Sequence, residues 1–305
     1  MGLFELSAAE LLRRAADRQV LVPAFNVAHL PMVEPIIATV AELKTYALVE
    51  VARPDVEKFG ARSFAAVAEE YQRLADRGVT RLHLDHVPVI DEDGQEVDWR
   101  RLVGEALELG YDSVMIDGSR LPLEANIAAT RAVAEMAHPL GRPVEAELGA
   151  VLGHEAGPLP PYEELFASGK GFTDPTQARR FVEESGCDWL SVAVGNIHGA
   201  ISAAGRDQAK VQARLNLEHL RLLRAATGVP MVLHGGSGIQ AEYLRAATSE
   251  GIAKINVGTE IRQAYERTLA ETDDVARAQA AVADSMRSLI VETYRMEGSA
   301  ERLAE

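Results

Sequence analysis

Eight short apolar runs, most of them rich in β-branched residues, recur along the 305 residues and alternate with long amphipathic segments. They are "VLVPAF" (20–25), "YALVEV" (46–51), "TRLHLD" (80–85), "DSVMID" (112–117), "RPVEAE" (142–147), "DWLSVAV" (188–194), "VPMVLH" (229–234) and "IAKINV" (252–257). Segments such as "FAAVAEEYQRLADRG" and "LNLEHLRLLRAATG" lie between them, with helical spacing and a closing Gly near the next run. Strand–helix alternation implies parallel strands joined by right-handed crossovers. Eight units predict a closed (β/α)8 TIM barrel, an α/β fold, because no GxGxxG follows the first strand to mark an open doubly wound sheet. Ser7 and Glu10 form a capping box ahead of the first helical segment. No linker or composition shift divides the chain, so one domain over 1–305 is expected. The helix-rich tail, about 262–305, outlasts the eighth unit.

A formal net charge of −15 argues against nonspecific binding to nucleic acid or to an anionic membrane. It leaves an anionic small substrate open, because a site follows its local field. Cys187 is the one cysteine, so no intramolecular disulfide forms, and the thiol before an apolar run reads as buried. The first residues lack the apolar core of a signal peptide, and no apolar run approaches the roughly 20 residues of a membrane span. The expectation is a soluble cytoplasmic protein.

Functional groups of such a barrel gather at the C-terminal ends of its strands. Here those ends are polar: Asp85 and His86, Asp117, Glu145 and Glu147, Asn196 and His198, His234, then Asn256 with Thr259. Singly, a strand-end His is more often structural and a strand-end Asp is often a helix N-cap. Three imidazoles on three strands converging on one rim form a different pattern. They match a catalytic metal site with an open position. His83 and Asp85 share a face by alternation, and His86 takes the other unless the strand has ended. His86 is favoured as ligand because it lies closer to the rim. His29, His138 and His219 read as solvated, and His154 as a loop residue near substrate. Lys254 on the eighth run does not read as a nucleophile. After His234 the chain runs "GGSG", whose bare backbone suits close approach to a phosphate, as does "NVGTE" after the eighth strand. A glycine-rich turn is the plain alternative for "GGSG". Two long loops, 87–98 and 149–173, follow strands and belong on the same face.

The pieces "VPAFNV", "LHLDH", "SVMIDGS", "VEAELG", "GHE", "FTDPTQA", "VAVGNIHG", "VLHGGSG" and "KINVGTE" run nearly end to end. In order and spacing they resemble the class II, metal-dependent ketose-bisphosphate aldolases. The resemblance implies a (β/α)8 barrel that uses Zn2+, with Co2+ or Fe2+ as alternatives and often a monovalent cation, to cleave ketose phosphates reversibly. It implies His86, His198 and His234 as metal ligands, with Glu147 an alternative or nearby ligand and Asp117 supporting a second cation position. It implies Asp85 as the acid/base at the substrate hydroxyl and Glu155 as the base toward the triose. It assigns Gly199, Gly235, Ser237, Asn256, Thr259 and Asn26 to the phosphate and substrate. A phosphorylated sugar substrate and a homodimer or homotetramer follow from it as expectations.

The chain departs from many relatives in four places. "AISAAGRDQAKVQARLNL" follows "GNIHG" where a shorter stretch with Tyr–Lys is common. Ala52 stands where a substrate-contacting Ser is common. Val87 and an acidic insertion follow "LDH", and Val257–Gly258 precede Thr259. The metal-ligand positions are untouched, so these changes bear on the substrate, whose aldehyde half need not be glyceraldehyde 3-phosphate. A metal-dependent sugar-phosphate epimerase and a non-catalytic sugar-phosphate-binding barrel are the alternatives.

Overall fold

The computed structural model describes residues 2–149, 161–196, 213–236 and 239–305. Parallel strands close into a barrel in chain order: β1 (Val22–Asn26), β2 (Ala47–Ala52), β3 (Thr80–Asp85), β4 (Ser113–Ile116), β5 (Val144–Leu148), β6 (Trp189–Val192), β7 (Met231–Leu233) and β8 (Ile252–Val257). β8 pairs back onto β1, with Val22 opposite Lys254. Almost every strand residue is buried, because helices cover the outer face and side chains fill the lumen. That double burial makes the runs nearly continuous in apolar residues.

The helices are α1 (Ala8–Asp17), α2 (Val33–Glu42), α3 (Arg53–Glu57), α4 (Phe64–Leu74), α5 (Trp99–Glu108), α6 (Leu123–Ala137), α7 (Tyr162–Ser168), α8 (Pro175–Ser185), α9 (Leu217–Thr227), α10 (Ala241–Ser249), α11 (Thr259–Thr272), α12 (Val275–Arg287) and α13 (Ser299–Ala304). The predicted capping box is present: Ser7 Oγ accepts from Glu10 N–H, and Glu10 Oε2 accepts from Ser7 N–H. Left-handed glycines 169, 186 and 228 end α7, α8 and α9. The tail packs on the outside of the barrel. α12 lies against α2, while Gly298 N–H and Ala300 N–H donate to Leu43 and Lys44 carbonyls just ahead of β2.

The loop 87–98 is folded onto the C-terminal face. Pro88 bridges to Asp117, and Asp91 Oδ1 accepts from the N–H groups of Asp93 and Gln95. Arg53 pairs with Asp91, and Lys58 with Glu92, which tie the acidic insertion to the end of β2. Two of the histidines expected to be solvated are held by packing instead. His29 stacks on Tyr265 and pairs with Glu266, and His219 Nε2 meets the Thr173 carbonyl at 2.7 Å. His138 is 44% exposed and pairs with Asp188. Cys187 is buried, as expected, and burial pushes its thiol up to about 12.

Candidate active site

The lumen beneath the C-terminal rim is charged. Lys254 Nζ lies 3.2 Å from Glu50 Oε2 and 2.9 Å from Glu145 Oε2, and none of the three side chains touches solvent. Burial, with repulsion from Asp85, pushes Glu50 well above the usual carboxylate range. Glu145 stays well below that range despite burial, because Lys254 and His234 stabilise its charge. His83, beside Glu145, is driven by burial and by Lys254 down to about 3 and is neutral. Strand register builds this layer, since Glu50 is the direct neighbour of His83.

One level higher stands Asp85, the last residue of β3. Its Oδ1 accepts from Asn256 Nδ2 at 2.9 Å and its Oδ2 from Asn26 Nδ2 at 2.9 Å. Lys254 Nζ donates to Asn256 Oδ1 at 2.7 Å, which fixes the amide so that its NH2 faces Asp85. Burial would raise Asp85, but the neighbouring charges of His86, Lys254 and His234 hold it below the ordinary value. It is a carboxylate.

The strand has ended at His86, whose φ is +30°. That turn removes it from the alternation of β3. Its ring comes 4.3 Å from that of His234, centroid to centroid. His86 Nδ1 lies 3.4 Å from Asp117 Oδ2. His234 Nε2 donates to Glu145 Oε1 at 2.8 Å, while its Nδ1 lies 3.2 Å from Glu147 Oε2. Burial would lower His234, but hydrogen bonds to Glu145 and Glu147 and their charges lift it to about 10.

Ligand atoms of Asp85, His86 and His234 lie within 4.8 Å of one another, and so do those of His86, Asp117 and Glu147. A third group, Glu50, His83 and Asp85, meets the same distance but already holds the Lys254 ammonium. The two upper groups share His86 and offer nitrogen and carboxylate donors, a set that fits a divalent cation. His234 presents the arrangement common to ligating imidazoles, one nitrogen held by a carboxylate and the other turned to the cluster.

Gly235 has φ +67°, and a Cβ on Gly236 would sit 2.5 Å from Ile255 Cδ1. Gly235 therefore sits in the left-handed region that favours glycine, while Gly236 is packed so closely against Ile255 that a side chain there would need a shift. Thr259 opens α11 beside Gly258, whose position leaves room for Asn26. Glu155, His198, Gly199 and Ser237 lie outside the described residues. So does His154.

The site also contains groups to which the motifs assigned no role. Glu50 and Lys254 interrupt apolar strands, and alternation could have placed them on the lumen face. Asp55, in α3, folds back so that its Oδ2 accepts from Ala52 N–H at 2.8 Å and from Asn26 Nδ2 at 3.4 Å.

Strand-end carboxylates and imidazoles converging above a parallel barrel define an enzyme of the (β/α)8 class. Residues 6–302 match the family described as fructose-bisphosphate aldolase class-II. The chain belongs to that family of metal-dependent aldolases, which are carbon–carbon lyases. It is 35% identical over 262 residues to the uncharacterized protein YdjI of Escherichia coli K12, covering 85% of this chain and 84% of that one. The crystal structure of the YdjI aldolase superposes with a TM-score of 0.72 at 28% identity, covering 98% of this chain and 99% of that one. Fructose-bisphosphate aldolase from Campylobacter jejuni shares the fold with a TM-score of 0.75 at 16% identity, with the same coverage.

Proposed function

We propose that this protein reversibly cleaves a ketose phosphate into dihydroxyacetone phosphate and an aldehyde, with zinc as its metal. The observation that carries the reading is the group Asp85, His86 and His234, with Asp85 oriented by two amides beside the imidazoles. His86 and His234 would hold the metal together with His198, and Glu147 and Asp117 offer the adjoining position. Zinc would act there as a Lewis acid that stabilises the enediolate left by carbon–carbon cleavage.

In cleavage, Asp85 takes the proton of the substrate hydroxyl beside the breaking bond. That oxygen becomes the aldehyde carbonyl, and the bonding electron pair passes to the triose fragment. Both Asp85 oxygens accept amide hydrogen bonds, which aim the carboxylate, while the charges of His86, Lys254 and His234 keep it ionised. Glu155 would return a proton to the triose carbon. Lys254 acts at a distance by orienting Asn256, and no Schiff base is required. The backbone after β7 and β8, with Gly235, Ser237, Asn256 and Thr259, would receive the phosphate end.

The test is proton exchange. Zinc-loaded protein in D2O is expected to replace one C3 hydrogen of dihydroxyacetone phosphate with deuterium by NMR, and His234→Ala is expected not to. Absence of exchange in metal-loaded wild type would overturn the reading. An isomeric sugar phosphate as sole product would favour epimerisation.

A further inference from the structure

We propose that Asp55 is a specificity-determining residue for the aldehyde half of the substrate, binding the hydroxyl next to the carbonyl of an unphosphorylated hydroxyaldehyde. The inference rests on the aldolase reading above.

Asp55 is 7% exposed, and one Asn26 amide nitrogen donates both to it and to Asp85. Asp85 is the group assigned to the aldehyde-derived oxygen, so the next hydroxyl along the substrate chain reaches toward Asp55. Ala52 is the register partner of Asp85 and carries no polar group of its own. At the end of β2, recognition therefore falls to Asp55.

A purely structural role would use Asp55 to hold the first turn of α3. Its Oδ2 does accept the Ala52 N–H. Its Oδ1 makes no hydrogen bond among the described residues. Nor is Asp55 sealed from solvent, since 7% of its surface stays exposed. Burial and the charge of Asp85 push the carboxyl up to about 7, against hydrogen bonds from Ala52 and Asn26 and the charge of Arg262. Near neutral pH it offers a substrate hydroxyl either an acceptor or a donor.

The charges around it favour a hydroxyl over a phosphate. Arg53 is matched with Glu57 and Asp91, Lys58 with Glu92, and Arg262 with Glu266. These three cations flanking α3 and Asp55 already have carboxylate partners. A second phosphate here would meet the carboxylates Asp55 and Asp85, and Arg53, Lys58 and Arg262 already carry carboxylate partners.

The experiment is carbon–carbon bond formation from dihydroxyacetone phosphate by the zinc-loaded enzyme. It is offered lactaldehyde, propanal, glyceraldehyde or glyceraldehyde 3-phosphate. Lactaldehyde and propanal differ only in the hydroxyl at issue, so the ratio of their kcat/KM values cancels every shared step. Wild type is expected to favour lactaldehyde over propanal by roughly 10–100-fold, the range of a charge-assisted hydrogen bond. It is also expected to favour glyceraldehyde over its 3-phosphate. Asp55→Ala should bring the lactaldehyde ratio to within about threefold of unity. Asp55→Asn keeps an acceptor for Ala52 N–H, so it folds if the cap is what matters, and its ratio should still fall. Equal loss on both aldehydes with the ratio intact would reduce Asp55 to a helix cap and overturn the proposal. So would preference for the phosphorylated aldehyde. Failure of wild type to exchange the proton of dihydroxyacetone phosphate would instead remove the aldolase reading, and this proposal with it.

Discussion

Glu145 Oε1 accepts the Nε2 proton of His234 at 2.8 Å, and both side chains are sealed from solvent. This contact orients the imidazole and turns Nδ1 toward Glu147, into the group proposed to hold the metal. Glu145→Gln removes the charge that fixes this tautomer. Zinc affinity is expected to fall by about 10–100-fold, read by competition with a chromophoric chelator. Unchanged affinity would place the metal away from His234.

Lys254 pairs with two buried carboxyl groups in the lumen. Lys254→Met would leave Glu50 and Glu145 without their cation and cost about 3–5 kcal/mol of stability at pH 8 by urea unfolding. Glu50 is already displaced upward by burial and would then be protonated more readily. A carboxyl raised in the folded state loses its favourable contribution as pH rises, so the variant should recover stability toward pH 5.

Asp55 gives a second pH dependence, of the same sign. Its carboxyl titrates at about 7 in the fold against 3.8 in an ordinary setting. Between those values the folded chain holds a proton that the unfolded chain has lost, so wild type loses stability as pH climbs through the window. Asp55→Asn has no such titration. In chelator-treated protein, its stability relative to wild type should rise from about pH 4 and level off above pH 7. A flat difference across that range would contradict the raised carboxyl.

Asn256 joins Lys254 to Asp85. Asn256→Ala should lower kcat for carbon–carbon bond formation by about 10–100-fold, the scale of one hydrogen bond to a charged group. Lys254→Arg, if it folds, should show a smaller loss of the same kind. Normal kcat in Asn256→Ala would mean that Asn26 alone positions the carboxylate.

The architecture was legible from the chain because its cause is periodic. Eight runs buried on both faces have to be apolar throughout, and eight intervening helices have to be amphipathic, so the (β/α)8 barrel and its C-terminal helices are written into spacing. The position of Asp85, His86, Asp117, Glu147, His234 and Asn256 at the strand ends was legible as well, since the ends of parallel strands share one rim. Residue order alone could not say which way His86 turns. Its positive φ breaks the alternation, and that depends on the chain leaving β3 for the 87–98 loop.

Contacts across the barrel came only from closure. Glu50 and Lys254 are about 200 residues apart in the chain and meet only because β8 pairs with β1 and β1 with β2. Glu145 reads in sequence as one more strand carboxylate, and becomes the partner of His234 and Lys254 once β5, β7 and β8 curve round one lumen. Asp55 looks like an ordinary residue after a proline, yet α3 folds it back onto Asn26 beside Asp85. The sequence by itself determined the barrel and the ring of polar strand ends, because both follow from local periodicity. Only the tertiary structure decided which charges face each other inside it, because that depends on the register and closure of strands far apart in the chain.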